Sequence, residues 1–196
     1  MVPFTILLFD GFETLDAMGP AEIIGILPGQ FHLRFCSKSG GIITSDQGLR
    51  ADTEPFSAVA PDGVILIPGG VGTRALVKDE AYIAAVRTLA LASRYTLTVC
   101  TGAMVLSKTG LLDDRAATTN KLLFTLVSSL SPNVRWKRKA RWVVDGKYYT
   151  SSGVTAGMDM TLGFVRDTVG CDTAKTAAAH IEYLWNEDKE TDPFAV

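Results

Sequence analysis

The chain has 196 residues, 47% of them apolar and 20% charged, enough to bury a core without disulfides or a structural metal. Its 19 basic and 21 acidic residues leave a formal charge of -2, so no broad positive field is available to hold nucleic acid or an anionic membrane. Three widely spaced cysteines, Cys36, Cys100 and Cys171, form no CxxC pair, and their odd count argues against a disulfide framework and for a reducing, cytoplasmic setting.

The opening stretch MVPFTILLFDGF has no basic n-region and is too short to span a bilayer. Its run FTILLF (4–9) is branched and continuous, which predicts a strand buried on both faces. Asp-Gly then marks a turn, Pro20 limits where a helix can run, and residues 21–27 read as helical. FHLRFCS (31–37) alternates as a second strand, and residues 41–56 read as a small hairpin. DGVILIPGG (62–70) is a buried strand ending in glycines, and residues 79–93 carry helical spacing. YTLTVC (95–100) is the next strand, followed by a short helix over 101–110 closed by Gly110. A brief strand at 115–119, a helix over 120–130, a hairpin across the Asp-Gly of 141–153 and two helices over 156–170 and 171–187 complete the order. The tail from 188 reads as loose or packed against a neighbour. This alternation predicts one α/β domain over 1–196 with a mainly parallel central sheet.

In such sheets the sites form at the carboxyl ends of strands. Three corners fall there: FDGFETLD, PGGVGTR and CTGA. Cys100 ends an apolar strand and is followed at once by a helix. Amides of that helix would favour the thiolate, as at a nucleophile elbow with sulfur in place of oxygen. A buried core thiol fits the same local sequence. Gly102 suits the tight turn. The glycines of PGGVG allow backbone N–H groups of Gly70 and Val71 to face an anion developing on a substrate, although many such loops are only turns. Asp16 has two readings, a helix cap or a desolvated acid and base beside the thiol. Glu13 reads as a solvated loop acid. The two histidines, His32 and His180, are both far in sequence from the elbow, which disfavours a Cys-His peptidase. No His, Cys and acid cluster has metal-ligand spacing. The basic run RWKRKARW (135–142) reads as a solvated strand face, and Cys36 and Cys171 as structural.

Taken together, LLFDGFETLDAMGP, DGVILIPGG, TVCTGAMVLSKTGLLDDRAATT and YTSSGVTAGMDM resemble the DJ-1/PfpI superfamily, over about residues 4–185. The combination of LDxxGP with Cys-Thr-Gly at the elbow is most similar to its isonitrile hydratase branch. That resemblance implies a flavodoxin-like three-layer sandwich and a homodimer. It also implies a small-molecule substrate, no cofactor, Cys100 as nucleophile, Asp16 as acid and base, and Thr101 as helper beside the thiol. Two departures stand out. Thr101 occupies the place where the protease-like branch carries His, and Asn120-Lys121 replaces the His-Trp frequent in hydratase relatives. Similar domains precede helix-turn-helix modules in regulators, and no such module is expected here. Glyoxalase action on methylglyoxal and redox sensing at Cys100 are the alternative activities.

Overall fold

The computed structural model describes residues 1–195. Strand β1 (Val2–Leu7) leads to helix α1 (Thr14–Gly25), then to β2 (Phe31–Ser37) and an antiparallel hairpin of β3 (Ser39–Thr44) and β4 (Arg50–Pro55). Next come β5 (Val64–Ile67), the one-turn α2 (Thr73–Leu76), α3 (Glu80–Ala92), β6 (Tyr95–Thr98) and α4 (Gly102–Lys108). The remainder is β7 (Ala116–Ala117), α5 (Phe124–Leu130), β8 (Arg135–Trp136), the hairpin β9 (Trp142–Asp145) and β10 (Tyr148–Ser151), α6 (Ala156–Thr168) and α7 (Cys171–His180).

Eight strands form one sheet in the order β3-β4-β2-β1-β5-β6-β10-β9. The inner strands are parallel, and only the two edge partners, β3 and β9, run antiparallel to their neighbours. Side chains alternate across the sheet, as a two-residue period requires. Phe4, Ile6, Val64 and Leu66 enter the core that faces α1, α6 and α7. Leu7, Ile65 and Ile67 enter the opposite core with Val86 of α3 and Val105 of α4. Each fully buried branched or aromatic side chain contributes about 1.5–3 kcal/mol. The result is an α/β sandwich of three layers: the alternating pattern implied the mainly parallel sheet, and the resemblance implied the layering.

The differences from the sequence reading have local causes. Helix α1 starts at Thr14 and contains Pro20. Its amino end is capped from outside, where the Thr14 amide donates to Gln47 Oε1 at 2.9 Å. Gly19 lies so close to α6 that a Cβ there would sit 2.7 Å from Met158 Cγ. Tertiary packing therefore carries the helix through a residue that usually ends one. Helix α5 starts late because Asn120 Oδ1 accepts from the Leu123 amide at 3.1 Å and holds residues 120–123 in a turn. Helix α7 stops at His180, two residues before Glu182 takes a left-handed φ of 52°. The basic run is not one strand face. It divides into β8, an exposed turn at Lys137–Lys139, and a buried Arg141. Cys36 is in the core, whereas Cys171 is exposed and packs in no core.

The tail returns to its own chain. Arg141 donates through Nε to Asp159 Oδ2 at 2.6 Å and lies 3.7 Å from Asp192. All three side chains are buried. The Arg141 amide donates to Lys189 O at 2.8 Å, and the Asp192 amide to Lys139 O at 2.7 Å. Removing one partner of such a network leaves uncompensated buried charge. Arg141→Met is expected to lower stability by about 3–5 kcal/mol, read as a fall in the urea midpoint. An unchanged midpoint would show that the network does not hold the tail region.

Candidate active site

The parallel strands end on one edge, and three of the loops that leave it meet there. Cys100 follows β6 with φ at +56°, a left-handed conformation that a non-glycine residue adopts only under local constraint. The constraints are visible. The Cys100 amide donates to Ser152 O at 2.9 Å, and Cys100 O accepts from Thr119 Oγ1 at 2.8 Å. Immediately after it, Gly102 passes so close to β5 that a Cβ would lie 2.1 Å from Ile67 O. The corner thus admits only glycine at 102 and turns the cysteine out of the strand direction.

Asp16 does not cap its own helix. It sits in the first turn of α1, fully buried, and its Oδ2 accepts from the Gly69 amide at 2.8 Å. Its other oxygen, Oδ1, is buried with no hydrogen-bond partner among the described residues. Burial pushes the carboxyl up to about 7. The Gly69 amide opposes this, the charge of Glu13 adds to it, and the nearby Cys100 thiol draws it slightly down. That thiol interacts with the carboxyl without meeting full hydrogen-bond geometry at Oδ1.

The sulfur has its own surroundings. Burial pushes the Cys100 thiol up to about 12, and the Asp16 charge acts in the same direction. Three donors oppose them: the amides of Thr101 and Val154, and Asn120 Nδ2 at 3.2 Å. The expected pull of the helix amides towards thiolate is therefore present but outweighed. Asn120 escaped the sequence reading as a site residue. The signal was its place directly after the short strand that returns to the elbow, and only the fold brings it to sulfur.

The glycine loop is held by Thr101. Thr101 Oγ1 accepts from the Gly70 amide at 3.1 Å and lies 3.2 Å from Thr73 Oγ1. Gly70 has φ at +127°, and a Cβ there would lie 2.3 Å from Gly11 O. The Gly70 N–H is thus engaged within the protein. The Val71 N–H donates no hydrogen bond among the described residues, so the two-donor arrangement expected from the sequence narrows to one open amide. The Thr101 hydroxyl braces this loop, while its backbone N–H faces the sulfur.

Cys100, Thr101, Gly70, Val71, Asn120 and Glu13 line a cavity of ≈ 160 Å³, whereas Asp16 is fully buried and is not on its wall. Glu13 is not merely a solvated acid. It is half-buried, accepts from Gln47 Nε2 at 3.1 Å, and donates through its amide to Gly69 O. His32 and His180 are both exposed and absent from this wall. Lys121, beside Asn120, is lowered to about 8 chiefly by burial, and its Nζ donates to Thr118 Oγ1 at 2.7 Å and Ala140 O at 2.6 Å. A larger cavity of ≈ 500 Å³ lies elsewhere, between Trp136, the Lys137–Lys139 turn and Trp142, away from any cysteine. Among the described residues no group of three His, Cys, Asp or Glu side chains is placed to hold a metal ion. No described helix is long and apolar enough to cross a membrane.

Comparison with known proteins gives consistent likenesses. The DJ-1/PfpI family model matches residues 4–167. Isonitrile hydratase of Pseudomonas putida is 36% identical over 179 residues, covering 90% of this chain and 76% of that protein. A THiJ/PfpI family protein from Pseudomonas syringae superposes with a TM-score of 0.85 at 29% identity, over 93% of this chain and 75% of that one. Drosophila melanogaster DJ-1beta shares the fold, with a TM-score of 0.80 at 17% identity over 94% and 99% of the two chains. An elbow cysteine on this sheet, and a family match across most of its length, are the grounds for the assignment: the chain belongs to the DJ-1/PfpI family.

Proposed function

We propose that this protein is a cofactor-free enzyme that uses Cys100 to add water to a small electrophile, converting an isonitrile to its N-substituted formamide. The observation that carries the reading is the buried Asp16 carboxyl beside the sulfur, with Oδ1 left without a partner. An unpartnered polar atom in that position is costly to fold and useful to a proton transfer. The likeness to isonitrile hydratase supports the same substrate class. A homodimer and a cytoplasmic location accompany this reading through the family resemblance.

The steps balance as follows. Cys100 sulfur bonds to the terminal carbon of R–NC while its proton passes to Asp16. Asp16 returns that proton to the same carbon, giving the thioimidate R–N=CH–S–Cys. Asp16 then takes a proton from water as the oxygen bonds to that carbon and passes it to the nitrogen, giving R–NH–CH(OH)–S–Cys. The C–S bond breaks as the hydroxyl proton passes through Asp16 to sulfur, and R–NH–CHO leaves. Asn120 Nδ2 and the Thr101 and Val154 amides steady the sulfur in its charged form. Val71 lines the same cavity, and its open N–H suits the charge that develops on the adduct. Glyoxalase chemistry has less support, because neither histidine is on the wall. Redox sensing has less support too, because Cys100 is only 7% exposed.

Four outcomes test the reading. Purified protein should convert alkyl or aryl isonitriles to formamides, followed by chromatography. Cys100→Ala and Asp16→Ala should each abolish turnover, and a wild type silent on the whole panel would remove the substrate assignment. Asn120→Ala should lower kcat/KM about tenfold or more, the worth of one hydrogen bond to a charged group. The pH profile follows from Asp16, whose pKa is raised to about 7. Below that pH both members of the pair hold protons, and the carboxyl has no site for the thiol proton. Loss of one proton gives the working pair, so kcat/KM should rise about tenfold per pH unit and level above about 7. A profile that falls through this range would contradict the assignment of Asp16 as acceptor.

A further inference from the structure

A second cavity of ≈ 310 Å³ adjoins the one at Cys100. Its walls include Asn120 and Val154, which also line the smaller cavity at Cys100. These are two of the residues whose N–H groups face Sγ. The two spaces therefore adjoin at residues that hold the thiol, while Cys100 itself lines only the smaller one. The smaller one carries Glu13, Gly70 and Arg74, and the larger one carries Leu122, Val154 and Phe194. Lys121 also lines the larger space, but its ammonium is turned to Thr118 and Ala140. That leaves a mainly apolar wall with no charge directed into it among the described residues.

Two of the wall residues are unusual. Leu122 is 91% exposed and Phe194 68% exposed, although both are large and apolar. Each would gain from being covered, at roughly 25 cal/mol per Å² of apolar area removed from water. Phe194 is also not placed by chance. Its amide donates to Asp192 Oδ1 at 2.9 Å, and Asp192 is buried against Arg141. The tail is thereby fixed so that an aromatic ring borders a space beside the reactive atom. The volume is at the lower end of small-molecule clefts, about 300–1,000 Å³.

We propose that this second cavity is the subsite for the apolar substituent of the substrate, with Leu122 and Phe194 as its specificity-determining residues. Small electrophiles need only the space at Cys100. Those carrying a benzyl or cyclohexyl group place it between Leu122 and Phe194. The inference rests on the catalytic role of Cys100 proposed above and narrows the substrate class to electrophiles with a bulky apolar substituent.

The test separates the two ideas by using alkylation as well as turnover. Cys100 is alkylated with iodoacetamide and with N-benzyl iodoacetamide, each rate normalised to free glutathione and read by mass on the Cys100 peptide, which excludes the exposed Cys171. Wild type should prefer the benzyl reagent. Leu122→Ser and Phe194→Ser should each reduce that preference about tenfold while changing the iodoacetamide rate less than twofold. The kcat/KM ratio of benzyl to methyl isonitrile should fall in parallel. Both side chains are exposed, so neither variant threatens folding. If isonitriles are not turned over but the alkylation preference behaves as stated, the subsite stands and the hydratase reading falls. If turnover is present and the preference is missing or unmoved by both variants, as when a second copy of the chain covers the groove, the subsite is overturned.

Discussion

The left-handed backbone of Cys100 is the constraint on which the site depends. A non-glycine residue in that region costs about 1–3 kcal/mol, and it persists because its surroundings leave no alternative. Ser152 at the end of β10 takes its amide, Thr119 after β7 donates to its carbonyl, and Gly102 permits α4 to begin against β5. Segments from three distant parts of the chain therefore converge on one residue. The same convergence delivers Asn120 and Val154 to the sulfur, since they follow Thr119 and Ser152 by one and two residues. Backbone strain and the supply of hydrogen-bond donors have one cause.

Electrostatics at the elbow is a contest between burial and donors. Burial favours the neutral form of both Asp16 and Cys100, and the Asp16 charge pushes the thiol up further. Two groups so placed do not ionise together near neutral pH, and the pair titrates as a unit. A helix N-terminus alone would lower a thiol pKa, but α4 is short and Cys100 is largely buried. In the reaction proposed above the thiol holds its proton at rest, and the acceptor is the neighbouring Asp16 carboxyl, raised to about 7, rather than a histidine.

Away from the chemistry, Arg141 links the sheet edge to the tail. It stands at the entry to β9, faces Asp159 on α6, and reaches Asp192 near the end of the described chain. Burial pushes Asp159 up despite this cation, as expected when desolvation competes with an ion pair. The linkage converts a polar tail into a fixed wall beside the cavity at Cys100. Residues that read as solvent-facing in sequence thus shape the space around the site.

The sequence by itself determined the alternation of buried strands and helices, and with it the layered α/β fold, because apolar periodicity is a local property of the chain. It also placed Cys100 at a strand-to-helix corner and Asp16 and the PGG glycines at neighbouring strand ends. The tertiary structure decided everything that depends on approach between distant segments. It ruled out the helix cap for Asp16, because its partner is Gly69 from another loop. It assigned the Gly70 amide to Thr101, brought Asn120 to sulfur, and carried α1 through Pro20. It turned the tail inward through Arg141 and Asp192. Spacing along a chain reports which face a residue takes, but desolvation and hydrogen-bond partners are set by what packs against that face.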